Sequence, residues 1–186
     1  AGTLAAAALG QGVPVHMLTG AELVPTGAPA LGTWCAENDP RRAHRLLTLV
    51  TTDHGPAMVI VDDVESWAEV LEEPAGPGGG VDLITALLRQ SRRRDLSLVL
   101  TATTPAHRWS ALVDQHLVLA PRDPAEAVLA GVPKDLAGPG WPPGRGVLLG
   151  AGPPVVGHVA TASGHGAATW PEPPVPPVRL LPLPAQ

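Results

Sequence analysis

The sequence predicts an α/β fold with a mainly parallel central sheet and an antiparallel hairpin at its edge. One observation is the uninterrupted apolar run from Met58 to Val61. Such a run, with no polar alternation, is typical of a strand buried on both faces in a parallel sheet. Strand-like and helix-like segments also alternate along most of the chain, which favours parallel pairing. Two late apolar segments separated by a turn at residues 150–153 predict the hairpin.

The individual elements follow from local patterns. Strands are expected at residues 13–18, 58–62, 96–101, 116–119, 146–149 and 155–159. Helices are expected at residues 3–9, 40–50, 64–71, 83–90, 109–113 and 124–130. Asp39-Pro40 and Asp123-Pro124 are helix starts, with aspartate as N-cap and proline in the first turn. Residues 19–38 and 74–80 are rich in glycine and proline and are expected to be connections.

The composition predicts one domain at residues 1–162 and an irregular tail at residues 163–186. A chain of 186 residues, 45% of them apolar, can bury one core. Because the sequence has no Phe and no Tyr, Leu, Val and Ala must fill that core, with Trp as the only aromatic. From about Ala162 onward proline, glycine and small residues dominate, so no further core is expected there.

Charge and cysteine content exclude several classes of protein. A net charge of −5 argues against non-specific coating of nucleic acid. Cys35 is the single cysteine, so no internal disulfide can form and a reducing interior is expected. No apolar run is long enough to span a membrane. The first residues lack a methionine and a basic flank, so the chain is expected to begin partway through a longer protein.

Asp62 and Asp63 are the principal candidate site residues. They directly follow the apolar run, and ligands of parallel sheets bind beyond the carboxyl ends of the strands. Adjacent carboxylates there repel each other, and a divalent cation with phosphates would offset that cost. The pattern therefore indicates a Walker B element. The alternative interpretation is an acidic helix start after a buried strand.

Several segments, in order, resemble the second half of an FtsK/SpoIIIE-type P-loop ATPase domain, including the repeated modules of the type VII secretion protein EccC. The strand ending in Asp62-Asp63 is similar to the family's Walker B strand. Residues 98–105, LVLTATTP, resemble its sensor strand, and residues 117–132 resemble the strand and helix that follow. Residues 143–149, PGRGVLL, resemble its closing strand, so the likeness extends over roughly residues 1–160.

The resemblance implies a RecA-like P-loop NTPase fold with ATP and Mg²⁺ as cofactors. It implies that Asp62 binds the metal and the nucleotide, that Asp63 activates water, and that Thr103 occupies the sensor position. The end of the phosphate loop, which also binds the nucleotide, falls on Ala1, Gly2 and Thr3.

Three differences from the family pattern concern catalysis. No GxxxxGK[ST] loop occurs, so the loop either was cut away with upstream sequence or is replaced by Ala1 and Gly2. The family usually has Glu where this chain has Asp63, and a carboxylate withdrawn by about an ångström can cost about 10²-fold in rate. The sensor glutamine is replaced by Thr103, which is too short to reach a γ-phosphate.

Two basic features have both a functional and a structural interpretation. Arg145, in the turn Pro-Gly-Arg-Gly, could approach the nucleotide of a neighbouring subunit, or it is a turn residue exposed to water. Arg92 to Arg94 could contact a neighbouring subunit or DNA, or they complement the dipole at a solvated helix end.

Two functions remain open. The first is part of an ATP-driven translocase of DNA or of a secreted protein, weakly active or degenerate in isolation, whose ATPase activity needs a phosphate loop supplied upstream. The second is a non-hydrolysing ATPase-like module that docks substrate protein or sister ATPase domains. For both we expect homo-oligomeric rings or sister modules as partners. We also expect a cytoplasmic location, with the membrane reached only through other parts of a longer protein.

Overall fold

Two β-sheets form the framework of the computed structural model, which describes residues 2–20, 31–52, 56–91, 96–103, 108–121 and 123–159. The first sheet has the order β2-β1-β3-β4 and is parallel throughout. The second has the order β5-β6-β7 and is antiparallel. The strands are β1 (Val15–Leu18), β2 (Leu31–Cys35), β3 (Ala57–Val61), β4 (Leu96–Leu100), β5 (His116–Leu119), β6 (Arg145–Leu149) and β7 (Val155–His158).

The helices fill the connections between these strands. They are α1 (Gly2–Gly10), α2 (Pro40–Thr52), α3 (Val64–Val70), α4 (Glu72–Ala75), α5 (Gly79–Ser91) and α6 (Pro124–Leu129), with a short 3₁₀ turn at Ser110–Leu112. No helix in these described ranges combines the length and the apolar character needed to cross a bilayer.

The strand β3 lies between β1 and β4 and is buried on both faces. Alternate side chains of a strand point to opposite faces of the sheet. Accordingly Val59 and Val61 pack with α2, α3 and α5, whereas Met58 and Ile60 pack with α1 on the other face. This is why the sequence shows a continuous apolar run here and no alternation.

The helices α3 and α5 meet at a close crossing that requires glycine. A Cβ built on Gly80 would meet the carbonyl oxygen of Ala68 well inside van der Waals contact. Trp67, on α3, is fully buried in the same cluster, together with Leu47 of α2 and Leu87 of α5. The parallel sheet with α1–α5 therefore has a packed layer on each face, and we call it the parallel unit.

The antiparallel sheet is covered on one face only. Val118 and Val147 pack with α6 and the segment after it, through Ala127, Val132 and Ala137. The opposite face carries Leu117 and Leu119, which are 48% and 50% exposed. We call β5–β7 with α6 the antiparallel unit.

The structure confirms most predicted elements and corrects two regions. The segment predicted as a connection at 19–38 contains β2, which pairs in parallel with β1; the Gly- and Pro-rich surroundings of LGTWC hid the strand signal. The predicted loop 74–80 contains the end of α4 and the start of α5, so Asp82 lies in the first helical turn and is not the cap. The predicted antiparallel hairpin of β6 and β7 is confirmed, and together with β5 it forms a sheet of its own. Ala1, Arg92 to Arg94 and the tail predicted at 163–186 lie outside the described residues.

Candidate functional site

Three neighbouring parallel strands each end in a polar side chain. Thr19 follows β1, Asp62 follows β3 and Thr101 follows β4. Because the carboxyl ends of parallel strands meet at one edge of the sheet, these side chains come together. We call Thr19, Asp62 and Thr101 the carboxyl-edge site.

Hydroxyl donors hold both oxygens of the Asp62 carboxylate. Thr101 Oγ1 donates to Asp62 Oδ1 at 2.8 Å, and Thr19 Oγ1 donates to Asp62 Oδ2 at 3.3 Å. Thr19 is fully buried and Asp62 half-buried. A carboxylate is an acceptor-only group when ionised, so this arrangement suits the anionic form and fixes its orientation.

Thr101 also organises the turn from β3 into α3. Its hydroxyl accepts a hydrogen bond from the backbone N–H of Asp63 at 2.8 Å, and its carbonyl oxygen accepts one from Val64 at 2.9 Å. The same hydroxyl thus donates to Asp62 and accepts from Asp63, which uses both its donor and an acceptor lone pair. Thr101 therefore links the Asp62 carboxylate to the backbone at the start of α3.

Asp63 has a structural task in this geometry. Its φ of 62° lies in the left-handed region, and its carboxylate accepts from the backbone N–H of Ser66 at 3.4 Å as the N-cap of α3. Aspartate is among the residues that tolerate this conformation and that favour the N-cap. In this structure the Asp63 carboxylate accepts the N-cap hydrogen bond of α3. Its role in activating water stays a prediction.

The amino end of α1 lies at the same edge of the sheet as Asp62. The helix packs on β1 and β3 and leads through a tight turn into the start of β1, so it runs opposite to the strand. A helix of nine residues is about 14 Å long and a strand of four residues is about 13 Å long. The first residue of α1 therefore lies at the same height as the last residue of β1. Gly2 and Thr3, predicted to bind the nucleotide, therefore begin α1 beside the carboxyl edge.

Of the two remaining predicted site residues, one lies at the carboxyl edge of the parallel sheet and the other lies in the antiparallel unit. Thr103 is exposed and lies just beyond Thr101, at the same edge. Arg145 begins β6 in the antiparallel unit, and its guanidinium stacks on the ring of Trp141 at 5.4 Å from the centroid. Its contact is therefore within the chain, and its side chain is half-buried where the sequence suggested exposure to water.

The donor set fits part of a nucleotide site. One oriented carboxylate suits Mg²⁺, which is commonly held by one or two carboxylates together with phosphates and water. No group of three or more His, Cys, Asp or Glu side chains that could hold a metal alone occurs in the described part of the chain. Lys134, the single lysine, lies in the antiparallel unit after α6. The described residues thus include one oriented carboxylate that fits Mg²⁺ as a ligand, and no lysine at the carboxyl edge.

Sequence reasoning passed over Thr19 and Thr101 as site residues. Each is the first polar residue after an apolar strand, VHML in one case and LSLVL in the other. Asp62 holds the same position after AMVIV. A comparison of the polar residue at the end of each predicted strand, or directly after it, would have found the set.

Cys35 lies at the end of β2 and is not available as a nucleophile. Its side chain is 1% exposed, and its carbonyl oxygen accepts a hydrogen bond from Thr19 at 3.2 Å. Burial raises the pKa of its thiol to about 11, while Arg42 acts to lower it and Asp39 to raise it. The thiol is therefore protonated at neutral pH and packs in the hydrophobic core.

Comparison with known proteins bears on the fold. No protein-family model matches the chain, and no curated protein matches it. Among solved structures the chain is similar to the pCW3 conjugation coupling protein TcpA, in its monomer form with ATPγS, with a TM-score of 0.61 and 13% identity. The alignment covers 80% of this chain and 52% of that one, so the chain spans about half the length of that protein. The likeness confirms the predicted α/β, RecA-like fold.

Proposed function

We propose that this chain is part of an ATP-binding translocase of the FtsK/SpoIIIE type, and that the carboxyl-edge site is the metal side of its nucleotide site. The observation that carries the proposal is the Asp62 carboxylate, held by two threonine hydroxyls at the end of a strand buried on both faces. A carboxylate fixed at this edge of a parallel sheet is where such folds bind ligands. When bound, Mg²⁺ would neutralise phosphate charge, and Asp62 would orient it through its free lone pairs.

The general activity is also supported by the structural comparison. The similar structure is that of a conjugation coupling protein with a bound ATP analogue, which favours nucleotide-dependent transport. Within this proposal the cargo is DNA or a secreted protein, and the partners are sister subunits or modules in a ring. The location is cytoplasmic, with any membrane contact made by other parts of a longer protein.

A second candidate function is a non-hydrolysing module that docks substrate protein or sister domains. One observation favours it. The carboxylate of Asp63, in the water-activating position, is engaged as the cap of α3. Such a module would have the fold of an ATPase without hydrolysing ATP, because catalysis of ATP hydrolysis depends mainly on the positioning of water and phosphate.

Titration with Mg-ATP tests the two functions against each other. The measurement is isothermal calorimetry on the chain, on Asp62→Asn and on Asp135→Asn, the last an exposed aspartate of the antiparallel unit with the same loss of charge. The nucleotide-binding function predicts Mg²⁺-dependent binding that weakens about tenfold or more in Asp62→Asn and is unchanged in Asp135→Asn. Absence of any binding at millimolar Mg-ATP would overturn that function for this chain and leave the docking module.

A further inference from the structure

Glu65, in the first turn of α3, carries a carboxylate without a hydrogen-bond partner. Both of its oxygens are shut off from solvent, and neither accepts a hydrogen bond from the described residues. Buried polar groups of native proteins are almost always paired, and each exception calls for an explanation such as a catalytic role or an ion. The carboxylate of Glu65 therefore makes no polar contact that stabilises the described structure.

An unpaired carboxylate in this position costs stability. Transfer of a charged group out of water is unfavourable unless a cation or several donors compensate for it. Within the described part of the chain the ion pair is between Arg41 and Glu73, away from Glu65. A neutral side chain of similar size would fit the same place at a lower cost. The glutamate therefore indicates a role outside the packing of the fold.

The contacts of α3 place Glu65 on the flank of the helix that faces β4. Val64 and Trp67 are buried and mark the core face. With about 100° between successive residues, Ser66 and Glu65 lie on opposite sides of the outward direction. The Ser66 hydroxyl donates to Glu37, two residues after β2, at 3.2 Å, so the flank of Ser66 faces β2. The strand order β2-β1-β3-β4 then directs the flank of Glu65 towards the end of β4.

Glu65 is also close in the chain to the carboxyl-edge site. Side chains of an α-helix lean towards its amino end, and α3 begins at its cap Asp63, directly after Asp62. Thr101 ties this turn to β4, because its hydroxyl and its carbonyl oxygen accept the N–H groups of Asp63 and Val64. Three carboxylates, those of Asp62, Asp63 and Glu65, therefore lie within four consecutive positions at this edge of the sheet.

The three carboxylates differ in what holds them. Asp62 is oriented by two threonine hydroxyls, and Asp63 caps α3. Of the three, Glu65 is the one with no hydrogen bond to break, and its side chain is a methylene longer than that of Asp63. Because the residue is partly exposed, rotation about its side-chain bonds brings the carboxylate to the surface on the β4 flank. Glu65 can thus reach outwards where Asp63 is engaged.

We propose that Glu65 is the second carboxylate of the nucleotide site and contacts the water shell of Mg²⁺ held at Asp62. This inference rests on the proposed function, because it names a further residue of the same site. Mg²⁺ keeps several waters in protein sites and is usually bound through one or two carboxylates together with phosphates. A carboxylate that turns to this shell gains the donors that it lacks within the fold, and the metal compensates its charge.

The test compares the 186-residue chain with Glu65→Gln and Glu69→Gln. Both changes remove one negative charge from α3, and Glu69 is an exposed residue one turn further along the helix. Thermal unfolding is measured without ligand. Isothermal calorimetry then measures the affinity of each protein for Mg-ATP, and for ATP in the presence of EDTA.

Glu65→Gln is expected to raise the midpoint of unfolding by about 3 °C, because it removes an unpaired buried charge. It should also weaken the binding of Mg-ATP about tenfold. The affinity for ATP in EDTA should stay unchanged, since the proposed contact is with water bound to the metal. Glu69→Gln should match the unaltered chain in all three measurements.

Each contrary result has a distinct meaning. A midpoint of Glu65→Gln equal to or below that of the unaltered chain would overturn the proposal, because the carboxylate would then have a stabilising partner. Unchanged affinity for Mg-ATP would overturn it and leave the proposed function standing. Equal loss of affinity with and without Mg²⁺ would overturn the assignment to the metal's water shell. Failure of the unaltered chain to bind Mg-ATP is the result that overturns the proposed function and this inference together.

Discussion

The parallel unit and the antiparallel unit are built from similar apolar residues but bury them differently. In the parallel unit helices cover both faces of the sheet, and Leu47, Trp67, Ile84 and Leu87 are fully buried. In the antiparallel unit one face packs on α6, and on the other Leu117, Leu148 and Val155 lie side by side across the three strands while remaining exposed. Burial here depends on what covers a strand and not on how apolar the strand is.

The same contrast applies within one sheet. β3 and β4 are adjacent and both mainly apolar, but among the described residues β3 has strands on both sides and β4 pairs on one side only. An exposed apolar edge and an exposed apolar face meet at one groove, which β4 and β5 line. Burial of an apolar strand therefore depends on whether its edges and its faces are covered.

The largest expected difference between the units is the loss of unfolding free energy when a large apolar side chain is truncated to alanine. Trp67→Ala should lower the free energy of unfolding by about 3–5 kcal/mol, because it leaves a cavity in a core with few other large residues. Leu117→Ala should change it by less than about 0.5 kcal/mol, since that side chain is 48% exposed. Urea unfolding followed by circular dichroism measures both. Similar losses would mean that Leu117 is covered in solution.

The second contrast concerns glycine. Gly80→Ala should cost about 3 kcal/mol, because the added methyl meets the backbone oxygen of Ala68 and forces α3 and α5 apart. Gly157→Ala in β7 is the matched control, since a Cβ there meets nothing within 4 Å. Urea midpoints of the two variants give the comparison. If Gly80→Ala behaves like its control, the close crossing of the two helices is wrong.

The third contrast uses alkaline pH. The folded state holds the Cys35 thiol protonated to a pKa of about 11, while the unfolded thiol ionises near 9.0. The raised pKa contributes stability in full below pH 9, and roughly 2–3 kcal/mol of it should be lost as the pH rises from 9 through 11. The sequence has no tyrosine and a single lysine, Lys134 of the antiparallel unit, so few other groups titrate in this range.

Urea unfolding at several pH values checks this expectation. The control is Cys35→Ala, in which the decline between pH 9 and 11 should become shallower. An identical decline in both proteins would show that the thiol is accessible to solvent in the folded state.

The smallest expected effect concerns the carboxyl-edge site. Thr101→Val should cost about 1–2 kcal/mol, because it leaves Asp62 Oδ1 and the N–H of Asp63 without their 2.8 Å partners. Thr103→Val makes the same chemical change at an exposed position and should be close to neutral. Thermal unfolding of the two variants measures the difference. Equal stability would remove Thr101 as the residue that positions Asp62.

Prediction from sequence succeeded where one local pattern was enough. The apolar run of β3, the Asp-Pro starts before α2 and α6, and the position of Asp62 at a strand end were all foreseen. Prediction failed for β2, because LGTWC becomes a strand by pairing with β1 and lies in a Gly- and Pro-rich region. It also passed over Thr19 and Thr101, whose importance depends on three strand ends meeting.

By itself the sequence determined the fold class, the buried central strand and the carboxylates that follow it, because these depend on residue types at neighbouring positions. Only the tertiary structure decided the rest: that two threonines orient Asp62, that Asp63 caps α3, and that Arg145 stacks on Trp141. The tertiary structure also decided that β4 and β5, from different sheets, line the same groove. The physical reason is that hydrogen bonding and burial are properties of pairs of segments, and the partner of each segment is far away in the chain.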